Sequence, residues 1–280
     1  MTIFLYQLKN ELWKLFGKKR TYIGFGMFLL GQNVIILLYR FTRATHDLTR
    51  ALERNGLVAS KFLSILTIGT LMVTVMAYTL LPLYVALVGG DLVAKEAEDG
   101  TLRMILCRPV SRLRLLMLKW LAGSVFSFSL VLSLGIFGLV FSAFWFPWGG
   151  LFTVPPLLPF GACESAEGLH RYLLAHLFMV PKAVSIMTMG FMFSCFNVKP
   201  AAATILALSL TLISGIMQEL PYFNGLQNWF ITFHMNIWRE IFAEHIPWAQ
   251  VWQSMLMLAG YNLSFLLIGC TAFHVRDIKS

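Results

Sequence analysis

Long apolar segments alternate with short polar ones along the chain, at residues 21–38, 62–88, 115–145, 172–196, 201–220 and 251–273. About 20 apolar residues cross a bilayer. The pattern therefore predicts an all-α integral membrane protein, a single transmembrane domain over residues 1–280 with six transmembrane helices. The second and third segments are long enough to tilt or to protrude from the membrane. Pro82 and Pro181 fall inside spans, where neighbouring helices satisfy the carbonyls that proline frees. Ahead of the first span, residues 1–20 place Leu5, Leu8, Leu12, Leu15 and Phe16 on one helical face and Lys9, Lys14 and Lys18 elsewhere. That spacing predicts an amphipathic helix lying at the membrane surface. A secretory leader is the poorer reading, because the basic region is long and no small-x-small cleavage site follows the apolar run.

The densest charge sits between the second and third spans, in the loop 89–114. Gly89-Gly90 ends the apolar run in this reading, and Asp91 caps a short helix with its carboxylate. Gly100 suits the left-handed position that stops a helix. Thr101 caps a second turn, Pro109 forbids its continuation, and Ser111 caps the next span. The expectation is a pair of short polar helices held stiffly between two spans, a shape suited to docking. On the opposite side, the loop after the third span is rich in Pro and Gly. Glu164, Glu167 and His170 recur there every three residues, which reads as a polar surface stripe, since a metal site needs more convergent ligands. The loop 221–250 is aromatic, with Trp229, Phe230, Phe233, Trp238, Phe242 and Trp248, and predicts one or two helices lying at or dipping into the outer interface.

Composition narrows the class. The 280 residues are 58% apolar and only 12% charged, against about 25% charged in soluble chains. The net charge of +9 is carried by residues that flank membrane-length segments, so nucleic acid is not implied as a partner. With the N-terminus inside, 14 Lys and Arg fall on inner segments and 7 on outer ones, which favours both termini in the cytoplasm. Cys107, Cys163, Cys195 and Cys270 are too widely spaced for a metal motif or a disulfide framework. There is no G-x-x-x-x-G-K-[ST], so the chain shows no phosphate-cradling loop of its own. H-E-x-x-H and G-x-S-x-G are missing too, and no two histidines stand at i, i+4.

The run Glu96-x-x-x-Gly100-Thr101-Leu102-Arg103, with Leu106, Pro109-Val110-Ser111-Arg112 and Lys119 after it, resembles the loop between the second and third spans of ABC transporter permeases of the type-two exporter class. The stretch Glu11-Leu12, Leu15-Phe16 and Lys19-Arg20 just ahead of a span is similar to that family's interfacial helix. So is a helical outer loop before the sixth span. The resemblance implies a permease in the cytoplasmic (inner) membrane of a prokaryote, without catalytic residues or a cofactor of its own. It implies a second permease, identical or related, membrane lipids around the pair, and a separate cytosolic ATPase that binds ATP and Mg. Glu96, Gly100, Thr101, Leu102, Arg103, Pro109, Ser111 and Arg112 would form the coupling helices that dock on the ATPase. The cargo implied is a drug, antibiotic peptide, lipid or ion. For Arg108, Arg114 and Lys119, a solvated loop obeying the positive-inside rule is the plainer expectation.

Within the spans, Lys182 stands out as a charge about ten residues into the fourth. An intramembrane charge is a functional hypothesis by default. Its expected partner is Glu219 at the outer end of the fifth span, or an anionic group on substrate or lipid. Gln32, Asn33 and Asn262 are further polar residues within the spans, and such groups usually bond helix to helix. Lys182, Gln32, Asn33 and Glu219 are the substrate-path candidates. Two other classes fit the same residues: a membrane anchor that recruits a cytosolic partner through the 91–112 loop, and a lipid-modifying enzyme with Glu164, Glu167 and His170 at its outer face.

Overall fold

A computed structural model describes residues 2–107 and 111–275. Its elements in chain order begin with α1 (Thr2–Phe16), α2 (Lys19–Phe41), α3 (Ala44–Arg54), α4 (Ala59–Phe62), α5 (Ile65–Tyr78), α6 (Leu80–Glu98), α7 (Thr101–Leu106) and α8 (Arg112–Ala143). Then come β1 (Leu151–Thr153), β2 (Gly161–Cys163), α9 (Ser165–Cys195), α10 (Pro200–Glu219), α11 (Ile231–Met235) and α12 (Trp248–Val275). Five helices are long and apolar enough to cross a membrane, or six if the bent pair α5–α6 is one span. The chain is a helical, membrane-embedded protein.

The bend between α5 and α6 is 43°. It falls just before Pro82, whose ring removes the N–H that would reach back to Tyr78 and crowds that turn. The apolar runs correspond to these helices, and several extend into polar sequence. The largest extension is α6, which passes straight through Gly89, Gly90 and Asp91. The expected first short helix of the loop is therefore the tail of the span itself. The two glycines serve packing instead. A Cβ on Gly89 would sit 2.2 Å from Met187 O, and one on Gly90 2.5 Å from Thr204 Oγ1. Gly190 returns the contact, with Ala86 O at 2.8 Å from its own added Cβ. Small residues let helix backbones approach where apolar burial against lipid gives no drive.

Helix α9 is the hub of the bundle and packs against α6, α8, α10 and α12. Its span is 67% buried within the protein, against 17% for α10 and 22% for α12. The outer faces of α2, α10 and α12 carry exposed leucine, isoleucine and valine, which suits lipid contact. Gln32 Nε2 bonds across to Leu134 O at 2.9 Å and Asn262 Nδ2 to Ser185 Oγ at 2.9 Å, while Asn33 Nδ2 bonds its own helix at Leu29 O, 2.7 Å away.

Two parts depart from an all-α expectation or from its loops. Residues 151–163 form a small antiparallel hairpin, with Phe152 opposite Ala162. It is fastened to the start of α5, where Ser64 Oγ donates to Gly150 O at 2.6 Å and Phe152 N to Thr67 Oγ1 at 3.0 Å. The aromatic segment 221–250 folds into the bundle as a run of short turns rather than as one or two regular helices. It is made of 3₁₀ turns at Pro221–Phe223, Gln227–Trp229 and Ile237–Phe242 around the short α11. Trp238, Ile241 and Phe242 are buried. Arg171 on α9 holds its far end through the carbonyls of Ala243 and Glu244.

Candidate functional site

Two places in the bundle gather the chemistry. The first lies at the end where α1, α7, the start of α8 and the end of α12 meet. There Lys119 on α8 is 2% exposed. Its Nζ lies 2.7 Å from Glu96 Oε1 on α6 and 3.1 Å from Glu11 Oε2 on α1. Lys14 Nζ closes the cluster, 2.6 Å from Glu11 Oε1 and 3.7 Å from Glu96 Oε1. Two acids and two bases make a neutral group, which is how charges persist away from water. Burial pushes the Glu11 carboxyl up, but Lys119 and Lys14 outweigh it and hold it below its ordinary value. Burial likewise pulls the Lys14 ammonium down, and Glu11 and Glu96 outweigh it and hold it above its ordinary value.

This arrangement revises two expectations. Lys119 is no solvated loop charge; it is a buried tie between three helices. Glu96 points inward at the same tie, with a side chain 14% exposed. The sequence already carried a signal for the pairing, since Glu11 stands in a helix otherwise rich in lysine. Its partner could be found only once α1 was folded against α8.

From that root the chain turns into α7. Gly100 has φ +72°, the left-handed region that suits glycine. Thr101 starts α7, and its hydroxyl donates to Glu96 O at 3.3 Å instead of capping the turn. Leu102 is buried, while Met104 is 66% exposed. Met104 had no signal in the sequence beyond being an apolar residue in a polar loop. The Arg103 side chain and Pro109 lie outside the described residues. Ser111 Oγ accepts from Arg114 N at 3.3 Å as the cap of α8. Arg112 Nη1 donates to His274 O at 3.1 Å, which ties the loop to the end of α12.

The second place is a cavity of about 720 Å³ among α6, α9, α10 and α11. It brings together Lys182 and Glu219, but Gln32 and Asn33 do not line it. Lys182 does not pair with Glu219. Its Nζ donates to Asn236 Oδ1 at 2.9 Å and lies over the ring of Tyr78, 4.4 Å from the centroid. The inward fold of the aromatic segment delivers Asn236 to this point. Glu219 stands exposed at the rim. The outer stripe disperses: Glu164 pairs with Lys61 at 3.0 Å and Glu167 with Arg171 at 2.6 Å.

A family model described as "Protein of unknown function (DUF2705)" matches residues 67–279. The chain belongs to that family. No curated protein matches the chain.

Proposed function

We propose that this DUF2705 member is the membrane-spanning permease subunit of an ATP-binding-cassette exporter. A separate cytosolic ATPase docks on the 91–112 region and binds the ATP and Mg. A second permease, the same chain or a related one, completes the pair. In this reading α5 and α6 count as one of six spans. Both termini and α7 face the cytoplasm of a prokaryotic inner membrane, as the Lys and Arg bias favours. The chain moves a hydrophobic or amphipathic cargo, or an ion, and performs no chemistry itself.

The observation that carries the proposal is the mounting of α7. Coupling two conformations across an interface needs an element with different contacts in each state and a stiff connection to what moves. Helix α7 is six residues long and departs from α6 at Gly100. Its root is clamped by Lys119 between Glu96 and Glu11. A push on α7 is therefore passed to α1, α6 and α8 together instead of being absorbed by a loop. Exposed Met104 gives α7 an apolar knob for a groove in the partner. The resemblance of Glu96, Gly100-Thr101-Leu102 and Ser111-Arg112 to the coupling loop of type-two exporter permeases supports the same assignment.

Affinity purification of the full chain from the membranes of its native cell, with the co-purifying proteins identified by mass spectrometry, tests the proposal. A complex holding two permeases and two ATPases is the expected result. A permease that purifies free of any ATPase would overturn it.

A further inference from the structure

Lys182 is 4% exposed and lines the large cavity. An ammonium has three N–H donors and no acceptor. Among the described residues, its one hydrogen-bond acceptor is Asn236 Oδ1, at 2.9 Å. The Tyr78 ring faces it from another side, and no carboxylate of the described residues comes within pairing distance. A buried cation matched by a neutral amide and the rings of Tyr78 and Trp238, 4.4 and 5.9 Å away, with no anion beside it, is expensive in a membrane.

The rest of the cavity points to what would balance it. Its walls away from Lys182 are apolar, built by Leu83 on α6 and by Leu208, Leu212 and Ile216 on α10. Leu212 is 65% and Ile216 62% exposed, so this wall opens sideways along the membrane-length helix α10. We infer that the cavity binds an amphiphile with a single anionic head group, its negative charge at Lys182 and its chain along α6 and α10. A neutral head leaves the ammonium unmatched, and a cationic head adds repulsion. Glu219 does not reverse this preference: it is exposed at the rim, where water and salt screen it, whereas Lys182 is shielded from both. The inference names the cargo class of the proposed exporter. It rests on that reading for movement and not for binding.

Two probes that differ only at the head group provide the test: N-oleoyltaurine, with a sulfonate, and N-oleoylethanolamine, with a hydroxyl. Binding of each to the purified full chain in nanodiscs is measured at pH 7. Wild type should hold the sulfonate about tenfold more tightly or better, and Lys182→Met should bring the two within about twofold. Gly215→Leu is the second variant. Gly215 lines the cavity, and a Cβ added there meets nothing nearer than Thr232 Cγ2 at 3.9 Å. That leucine should weaken both probes while Lys182 stays in place, which keeps the test decisive if Lys182→Met fails to fold. Equal binding of the two probes to wild type, or sulfonate binding unchanged in Gly215→Leu, would overturn the inference. The two proposals fail separately. An ATPase complex whose permease binds both probes alike refutes only the anion site. A sulfonate preference in a permease that no ATPase joins refutes only the exporter.

Discussion

Lys119 and Glu96 form a 2.7 Å ion pair that fastens the end of α6 to α8, with the lysine 2% exposed. Taking away one partner of such a pair strands the other charge, which costs about 3–5 kcal/mol. Glu11 and Glu96 keep some access to water, so we expect Lys119→Met to cost about 3 kcal/mol, the lower end of that range. The melting temperature in detergent should fall by roughly 6 °C or more. The double variant Lys119→Met, Glu96→Gln should recover part of the loss, because residues in one network do not act additively. Purely additive losses would show that the pair is incidental.

Acid should loosen α1. The Glu11 carboxyl sits below its ordinary value of 4.5 in the folded protein. Its contribution is therefore complete above that value and is lost as pH falls through the folded one. Lys14 is held above its ordinary 10.5, so its contribution is complete below that and fades only as pH rises beyond it. The clamp is strongest between those limits. Amide exchange in α1, corrected for its intrinsic pH dependence, should speed up between pH 5 and about pH 3. Glu11→Gln should be loose at both and show little change.

Gly89→Ala should damage the bundle. Its new Cβ would meet a backbone oxygen, Met187 O, at 2.2 Å. Overpacking of this kind costs about 1–3 kcal/mol. Gly26 on α2 is the control, since nothing lies within 4 Å of an added Cβ there. Gly26→Ala should be neutral or stabilising by up to about 1 kcal/mol. Thermal unfolding of the two variants side by side checks the contrast, and equal stability would refute the close α6–α9 approach.

Gly100→Val should leave the bundle folded and re-aim α7. A residue with a Cβ pays about 1–2 kcal/mol in the left-handed region, and Gly100 occupies it with φ +72°. The strain is local, because nothing crowds the site within 4 Å. Limited proteolysis between residues 99 and 111 should become faster than in wild type, while the melting temperature stays close to it. A cleavage rate equal to wild type would show that α7 tolerates the change.

The membrane helices were legible because their signal is local: long apolar runs with few charges. What escaped the sequence depends on which helices meet. Gly89 and Gly90 read as breakers by propensity, yet α6 runs through them, because close contact with α9 and α10 outweighs the weak intrinsic cost of glycine in a helix. Lys119 read as a loop charge, since nothing nearby in the chain announces Glu11 more than 100 positions away. Lys182 was visible as a charge inside an apolar run. Its partner was not, because Asn236 reaches it only through the inward fold of residues 221–250. The hairpin at 151–163 was hidden for a related reason: its strands are three residues long, and its anchors are the side chains of Ser64 and Thr67. Gly100 and Ser111 kept their expected roles, as turn and cap chemistry is set by immediate neighbours.

The most direct test of the central claim is ATP hydrolysis by the permease–ATPase complex in lipid, wild type against Met104→Asp. Met104 is 66% exposed on α7, so the aspartate should change permease stability by no more than about 0.5 kcal/mol. If α7 is the docking element, the aspartate places an unpaired charge in the partner's groove. Permease-dependent ATPase activity and co-purification should then both drop sharply, with the permease's melting temperature unchanged. Full activity and an intact complex with Met104→Asp would contradict the account and place any ATPase contact elsewhere on the chain.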